Sequence, residues 1–285
     1  MANIFLAQQC QLKYLNNLFI ELTAKNCNQR CKHCYIDFPL TKNVKDFINI
    51  ETIKTALEDT KNQQIECIYL MGAEPMTHPD FNNILRLCLK YTNVCIHTNG
   101  SFINEKKARF LKRVENESDY EIIFKLSIDH FDEIKNDDIR SRGSYRQVIH
   151  AIKSLVKYQF NPILCITNYY NEDKNTLINE FKNICNKINF DIQEKNFKIN
   201  MWHNNKDDIE VLSDTNWHSL DCEYGRILTN KGVYTCPFLA NDHRGRSGSN
   251  FKDYSAKNNL ETSFCSTCIK NKFSLFGIDY NLFRE

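Results

Sequence analysis

The 285-residue sequence lacks several features that would place it in a large class of proteins. It has no strong excess of one charge, since 37 lysines and arginines stand against 35 aspartates and glutamates and no long block carries a single sign. This balance gives no indication of a nucleic-acid partner. The first residues lack the basic start and long apolar stretch of a secretory signal, and no run approaches the roughly 18 apolar residues of a membrane helix. We therefore expect a cytoplasmic protein without a nucleic-acid or membrane partner.

Cysteine, by contrast, is abundant, with 13 residues in the chain. In a reducing compartment this number indicates metal binding or catalysis rather than disulfides. Cys27, Cys31 and Cys34 follow the spacing Cys-x3-Cys-x2-Cys. Three thiolates can hold three irons of a four-iron cluster and leave the fourth iron open, whereas clusters that only carry electrons normally take four cysteines. A zinc site, which needs four closed ligands, and a chance spacing are the alternatives.

Strand-like and helix-like segments alternate along most of the chain. Segments rich in valine, isoleucine and phenylalanine predict six strands, at residues 17–23, 65–71, 94–98, 121–128, 163–167 and 190–193. Segments with helical periodicity lie between them, at residues 51–63, 80–91, 104–114, 144–158 and 174–188. This alternation predicts an α/β fold, a partial (β/α)6 TIM-like barrel that is open on one side. The loops at the carboxyl ends of its strands, the cysteine loop among them, would line one site.

A second set of cysteines lies where the alternation ends. Its members are Cys222, Cys236, Cys265 and Cys268. The first two flank a predicted β-hairpin around residues 230–232, and the last two form a Cys-x2-Cys pair. Four thiolates can close a site completely, around a structural zinc or as a four-iron cluster that carries electrons. We therefore predict two domains, a barrel at residues 1–204 and a small β-hairpin domain, held together by its metal, at residues 205–285.

Around the first three cysteines, the sequence resembles the signature of radical S-adenosylmethionine (SAM) enzymes. Further motifs of that family follow in order within residues 17–190: Gly72-Ala73-Glu74-Pro75 in place of Gly-Gly-Glu-Pro, Thr98-Asn99-Gly100, Leu126-Ser127-Ile128-Asp129 and Asp138-Ile139-Arg140. The segment from Cys222 onward resembles the twitch domain, the shorter relative of the SPASM domain. No cysteine follows Cys268, so a third cluster is not expected.

The resemblance implies SAM and a [4Fe-4S] cluster on the first three cysteines, with a second [4Fe-4S] cluster on the four later ones. In the family, SAM bound to the open iron is cleaved to a 5′-deoxyadenosyl radical that removes a hydrogen atom from the substrate. The implied SAM contacts are Gly72, Ala73, Glu74 and Pro75 at the amino group, Ser127 and Asp129 near the ribose or methionine end, and Arg140 at the carboxylate. Asn99 has two open interpretations, a turn residue at a strand end and a SAM contact.

The type of reaction stays open at this level. A closed second cluster would accept the odd electron of a substrate radical, so the leading hypothesis is net oxidation of a peptide or small molecule. A redox-neutral epimerase or mutase would instead need a thiol hydrogen donor, for which Cys165 is the candidate. A non-catalytic zinc or Fe–S protein is the alternative from another class.

The resemblance also bears on partners. A reductant such as flavodoxin or ferredoxin is expected. Only 26 residues precede Cys27, so a peptide substrate would need direct binding or a separate recognition protein. Four residues near the predicted domain junction are candidates for substrate contact: Trp202, His203, Tyr224 and Arg226. The basic run at residues 243–246 is interpreted as a solvated turn in preference to an anion site.

Overall fold

The computed structural model describes residues 9–36, 47–201, 220–260 and 262–271. The strands in this part of the chain are β1 (Gln9–Gln11), β2 (Asn17–Thr23), β3 (Cys67–Gly72), β4 (Asn93–Thr98), β5 (Ile122–Ser127), β6 (Ile163–Asn168), β7 (Phe197–Met201), β8 (Gly225–Thr229), β9 (Gly232–Tyr234), β10 (Arg246–Asn250), β11 (Asp253–Tyr254) and β12 (Lys257–Asn259). The α-helices are α1 (Ile50–Asp59), α2 (Phe81–Cys88), α3 (Glu105–Asn116), α4 (Glu133–Ile139), α5 (Ser144–Lys157), α6 (Lys174–Asn186) and α7 (Ser263–Asn271).

Ten of these strands form one sheet with a parallel centre. Strands β2 to β7 lie side by side in chain order and pair in parallel. This is the predicted partial (β/α)6 arrangement, and among the described strands β7 pairs only with β6, so it forms one edge. On the other side, β8 pairs in parallel with β2, and the sheet continues in antiparallel fashion through β9, β10 and β11.

The helices pack on one face of the parallel sheet because that face is predominantly apolar. On β2, for example, Leu18, Ile20 and Leu22 are completely buried in the same cluster as Ile84 and Leu85 of α2. Each side chain of this size contributes about 1.5–3 kcal/mol when it is fully buried. A slip of one residue would turn this face toward the other side of the sheet, so the apolar layer also fixes the register.

The opposite face of the parallel sheet, here called the lumen, carries a mixture of aromatic and polar side chains. Phe19, Tyr69 and Cys95 are register neighbours on β2, β3 and β4 and form a small buried cluster. Lys125 of β5 lies with its ammonium group 5.0 Å from the centre of the Tyr69 ring, and it is the register partner of His97. Only 4% of Lys125 is exposed. The lumen therefore contains a buried cation beside aromatic side chains in the middle of the sheet.

The last parallel strand differs from the sequence prediction. It is β7, which begins at Phe197, rather than residues 190–193. The side chain of Asn196 donates hydrogen bonds to Asn161 Oδ1 (2.8 Å) and to the Pro162 carbonyl (3.2 Å), both just before β6. These bonds hold the preceding residues in a short turn, so the strand starts only after Asn196.

Helix α4 is absent from the sequence prediction because its seven residues have little apolar periodicity. Ile139 is buried, but Ile134 is 80% exposed. The helix begins instead with a polar cap, in which the Asp132 carboxylate accepts a hydrogen bond from the Lys135 N–H at 2.9 Å. Its end is important for the site, since Arg140 follows directly.

The predicted C-terminal hairpin is confirmed as the antiparallel pair β8–β9. The N-terminal strand β1 reaches the same region by pairing with β12. The predicted boundary at residues 204 and 205 lies outside the described residues, as do Trp202 and His203. Among the described residues, no helix has the length and apolar content that a membrane crossing requires.

Candidate active site and metal centres

Cys27, Cys31 and Cys34 lie in one loop that follows β2. All three are partly buried; burial raises the pKa of Cys27 and Cys34, and it raises that of Cys31 to about 11. The Cys27 Sγ accepts hydrogen bonds from the Gln29 N–H at 3.3 Å and from Asn99 Nδ2 at 3.7 Å. Thiols of this kind are neutral in the metal-free chain and lose their protons when they bind a metal.

The cysteine loop is anchored to the segment at the end of α4. The Lys32 N–H donates to the Ile139 carbonyl at 2.9 Å, and the Arg30 N–H donates to the Arg140 carbonyl at 3.3 Å. The Arg140 Nε also donates to Gln29 Oε1 at 3.1 Å. The shape of the loop therefore depends on residues more than a hundred positions later in the chain.

Asp129, which follows β5, joins this anchor to the sheet. Its Oδ2 accepts a hydrogen bond from Arg140 Nη1 at 2.7 Å and lies 2.7 Å from His33 Nε2, and its Oδ1 accepts one from the Thr167 N–H at 2.9 Å. Burial acts to raise the pKa of Asp129, but the neighbouring His33 and Arg140 outweigh it, and the pKa lies well below its usual range. Asp129 and Arg140, both predicted SAM contacts, thus form a buried ion pair; their contact with SAM stays a prediction.

Glu74 is completely buried and binds the loop that follows β4. Its Oε1 accepts hydrogen bonds from the Met76 N–H (3.1 Å) and the Thr98 hydroxyl (2.8 Å), and its Oε2 accepts one from the Asn99 N–H (2.9 Å). The carboxylate therefore positions Asn99. A direct contact between Glu74 and the SAM amino group stays a prediction.

The loop at residues 72–75 turns sharply where β3 ends. Gly72 has a φ of +120°, and a Cβ at this position would lie 2.3 Å from the Thr23 carbonyl oxygen. That oxygen accepts a hydrogen bond from the Ala73 N–H at 2.8 Å, and Pro75 begins a short helical turn. Glycine is required at the first position for this close approach. The alanine at the second position is compatible with the turn.

Asn99 has a turn role that the structure shows directly. Its Oδ1 accepts a hydrogen bond from the Ser101 N–H at 2.9 Å. Its Nδ2 donates to Asn28 Oδ1 at 2.9 Å and also reaches the Cys27 Sγ. Asn99 therefore connects the end of β4 to the cysteine loop, and its contact with SAM stays a prediction.

Ser127 and Cys165 are register partners on β5 and β6. Both are partly exposed and lie on the lumen side of the sheet, as do Lys125 and Lys198. Burial raises the pKa of Cys165, and the two lysines oppose this effect. The thiol is therefore protonated at neutral pH, which is the form that a hydrogen-atom donor needs.

The four later cysteines line one cavity beside the hairpin β8–β9. They come from the turn before β8, the segment after β9 and helix α7, and they are Cys222, Cys236, Cys265 and Cys268. Apolar side chains, including Phe238, Leu239 and Phe264, form much of the remaining wall. Burial raises the pKa of Cys236 to about 12 and that of Cys268 well above its usual value. Residues distant in sequence thus bring four thiols to one desolvated place.

Within the described ranges, no three His, Cys, Asp or Glu side chains are arranged around a single metal-ion position. A four-iron cluster does not need that arrangement, since its thiolates are bound to its irons rather than to one central ion. Both cysteine sets fit such a cluster in donor chemistry: one supplies three thiols and the other four.

Two features of the second region differ from the sequence interpretation. Arg226 cannot contact a substrate, because it is 0% exposed and donates to backbone carbonyls. The other is Cys10, whose Sγ lies 3.3 Å from that of Cys222. Nothing in the local spacing indicates this contact. In the basic run at residues 243–246, the His243 side chain is 93% exposed and Arg244 forms an ion pair with Asp242 at 2.6 Å. These features are those expected of a solvated turn.

Comparisons with known proteins agree with this geometry. Residues 22–211, well over half of the chain, match the family model of the radical SAM superfamily. The structure is similar to native anSMEcpe with bound AdoMet, with a TM-score of 0.64 and 16% identity over 90% of this chain and 83% of that chain. It is also similar to anSMEcpe with bound AdoMet and the Kp18Cys peptide, with a TM-score of 0.62 and 15% identity over 90% of this chain and 83% of that chain.

A third similar structure is Streptococcus suis SuiB bound to the precursor peptide SuiA, with a TM-score of 0.60 and 15% identity. The match covers 82% of this chain but only 62% of SuiB, which is less than two thirds of that protein. A search of curated protein sequences finds no match. At these identities the structural likeness shows the fold, and the family model shows the membership: the chain belongs to the radical SAM superfamily, whose cofactors are SAM and a [4Fe-4S] cluster.

Proposed function

We propose that this protein is a radical SAM enzyme that oxidises a peptide or a small molecule bound in the lumen of its partial barrel. When bound, SAM and the first cluster supply a 5′-deoxyadenosyl radical that removes a hydrogen atom from the substrate. The observation that carries the oxidative assignment is the cavity lined by the four later cysteines. A four-iron cluster with four cysteine ligands is an electron carrier, and such a carrier is what a substrate radical needs in order to lose a further electron.

Cys27, Cys31 and Cys34 would hold the first cluster. The buried pair of Asp129 and Arg140 supports this role by fixing Gln29 and, through the backbone, the loop that bears the three thiols. The adjacent ends of β3, β4 and β5 would receive SAM. Positions 72 and 73 carry no side chain larger than a methyl group, and Asn99 lies beside the first thiol.

The lumen would bind the substrate next to this site. Lys125 is almost completely buried there and lies against Tyr69, while Lys198 is the register partner of Cys165. Two cationic side chains on the lumen face would favour a substrate that carries a carboxylate, such as a peptide with a free C-terminus. The solved relatives bound to SuiA and to the Kp18Cys peptide also support a peptide substrate. A reductant such as flavodoxin or ferredoxin would supply electrons to the first site, and a separate protein would be one route to peptide recognition.

A second candidate function rests on Cys165. Its protonated thiol lies on the lumen side, where it would give a hydrogen atom to the opposite face of a substrate radical in an epimerisation. The thiyl radical left on Cys165 would return to the thiol by taking one electron from the reductant, through the second cluster, and one proton from solvent. In D2O, the thiol would carry deuterium from the solvent into the product. Deuterium in the product of the native enzyme, lost in Cys165→Ala, would favour this function over oxidation.

Anaerobic reconstitution with iron and sulfide, followed by SAM and dithionite, tests the proposal. We expect about eight irons per chain and formation of 5′-deoxyadenosine. Cys31→Ala should abolish 5′-deoxyadenosine formation, and Cys236→Ala should leave about four irons. Cys185→Ala, which removes a cysteine on the buried face of α6, is the matched control and should keep both clusters.

Two results would overturn the proposal. Native protein that binds iron but forms no 5′-deoxyadenosine, or activity that persists in Cys31→Ala, would remove the radical chemistry. A native chain that binds only about four irons would leave the radical chemistry but remove the second cluster, and with it the assigned electron acceptor. Zinc in place of the missing iron would assign the second site to a structural role.

A further inference from the structure

The N-terminal strand β1 is held against the second cysteine site from two sides. On one side it pairs with β12, where Cys10 lies opposite Asn258. On the other side the Lys13 N–H donates a 2.8 Å hydrogen bond to the carbonyl of Glu223, the residue directly after Cys222. The position of β1 is thus fixed by the same segments that carry the second site, although they lie more than two hundred residues later.

This placement brings a fifth thiol to the site. The Cys10 Sγ lies 3.3 Å from the Cys222 Sγ. The buried amide of Asn258 orients both cysteines, because its Nδ2 donates to the Cys10 Sγ at 3.5 Å and to the Cys222 carbonyl at 3.2 Å. Asn258 and Cys222 both line the cavity that contains the other three thiols.

A buried cation next to these two thiols points independently to a negatively charged ligand. Arg226 is 0% exposed and is among the largest completely buried side chains of the described chain. It donates to the carbonyls of Cys222, Gly225, Ser255 and Ala256, while its Nε is buried without a hydrogen-bond partner. Within the described residues, no carboxylate forms an ion pair with Arg226. A buried charge requires compensation, and a metal site with several thiolates provides it.

We propose that Cys10 is a fifth thiol of the second metal site and shares one ligand position with Cys222. The proposal rests on the proposed second cluster. Such a cluster takes four thiolates, so the site has one thiol more than it needs. One of the two cysteines releases its proton to solvent and binds iron, and the other stays protonated and donates a hydrogen bond to the bound sulfur. The N-terminal strand is thereby part of the metal site, and its docking is coupled to metal binding.

The experiment uses the full chain with Cys27, Cys31 and Cys34 all replaced by alanine, so that only the second site binds iron. Each variant of this parent is checked by circular dichroism and reconstituted anaerobically with iron and sulfide. We expect Cys222→Ala to retain about four irons per chain, because Cys10 takes its place. Adding Cys10→Ala to Cys222→Ala should lower the iron content to that of Cys236→Ala. Adding Cys67→Ala instead is the matched control and should retain the iron.

Alkylation with iodoacetamide, mapped by mass spectrometry, gives a second readout. In the loaded Cys222→Ala variant, Cys10 should resist alkylation and become reactive after removal of the metal with a chelator. Alkylation of the native chain, with and without its metal, does not depend on how well the variants fold. In the iron-loaded native chain, one of Cys10 and Cys222 should be protected in each molecule, so the alkyl label should be divided between the two residues.

Specific results would overturn the proposal. Cys10 is not a ligand if Cys222→Ala alone loses as much iron as Cys236→Ala. The same conclusion follows if Cys10→Ala/Cys222→Ala keeps as much iron as Cys222→Ala. It also follows if Cys10 of the Cys222→Ala variant reacts with iodoacetamide as readily with iron bound as after the metal has been removed. A parent chain that binds no iron would refute the second cluster itself, which distinguishes failure of the proposed function from failure of this inference.

Discussion

Replacing Asp129 by asparagine is expected to destabilise the protein and to loosen the cysteine loop. The Asp129 side chain is 1% exposed and accepts hydrogen bonds at 2.7 Å from Arg140 and at 2.9 Å from the Thr167 N–H, with His33 also at 2.7 Å. Asparagine has nearly the same shape, and its oxygen would still accept from the Thr167 N–H. Its NH2 group would then face two other donors, and the buried Arg140 guanidinium would lose its carboxylate.

The loss of one member of a buried ion pair costs about 3–5 kcal/mol, and we expect a decrease of this size in the free energy of unfolding. Urea denaturation of the metal-free chain, followed by far-UV circular dichroism, measures it. The double variant Asp129→Asn/Arg140→Met removes both charges and should recover about 1–3 kcal/mol of the loss. The exposed pair of Lys157 and Glu105, at 56% and 54% exposure, provides the control: Glu105→Gln should change the free energy of unfolding far less than Asp129→Asn does.

A cost for Asp129→Asn as small as that of Glu105→Gln would refute this reasoning. Strictly additive effects of the Asp129 and Arg140 substitutions would also refute it, because they would show that the two side chains do not interact energetically. The loop provides a further check. Since Arg140 positions Gln29, Asp129→Asn should lower the iron content of the first site and leave that of the second unchanged.

Three further outcomes are expected. Gly72→Ala should lower the thermal unfolding midpoint, because its Cβ would lie 2.3 Å from the Thr23 carbonyl oxygen; Gly143→Ala, where φ is +81° and no atom lies within 4 Å, should cost only about 1–2 kcal/mol. Because the pKa of Asp129 is lowered in the folded state, its carboxylate stabilises the fold fully at pH values above its unfolded pKa of about 4. This stabilisation is lost as the pH falls toward the folded pKa, so below about pH 4 the free energy of unfolding should fall more steeply with decreasing pH in the native chain than in Asp129→Asn. Arg226→Met removes the buried cation beside the second site, so it should weaken iron retention there against a competing chelator.

The parallel half of the fold is predictable from sequence because its patterns are local. Strand β2 is a continuous run with one apolar face, and the helices carry matching stripes. The error at residues 190–193 has a physical cause. Phe190 and Ile192 are buried, as alternate residues of a strand would be. However, the side chain of Asn196 donates hydrogen bonds to the residues just before β6, and the strand begins only at the next residue. A long-range contact of this kind leaves no periodic signal.

The same distinction applies to the site. Three ligands in one loop leave a short spacing in the sequence, so Cys27 to Cys34 can be identified before any fold is known. The Asp129–His33 contact and the Cys10–Cys222 contact join residues about a hundred and two hundred positions apart, and only the folded chain brings them together. The burial of Arg226 likewise depends on the pairing of β8 with β2, and a charged residue type by itself would predict an exposed side chain.

The central claim is that Cys27, Cys31 and Cys34 hold a cluster with one iron open to SAM. Electron paramagnetic resonance of the reduced Cys236→Ala/Cys268→Ala variant tests it most directly, because only the first cluster would contribute to the spectrum. The spectrum should change when SAM is added and should be absent in a variant that also carries Cys31→Ala. A cluster spectrum that SAM leaves unchanged, or one that persists after Cys31→Ala, would contradict the claim.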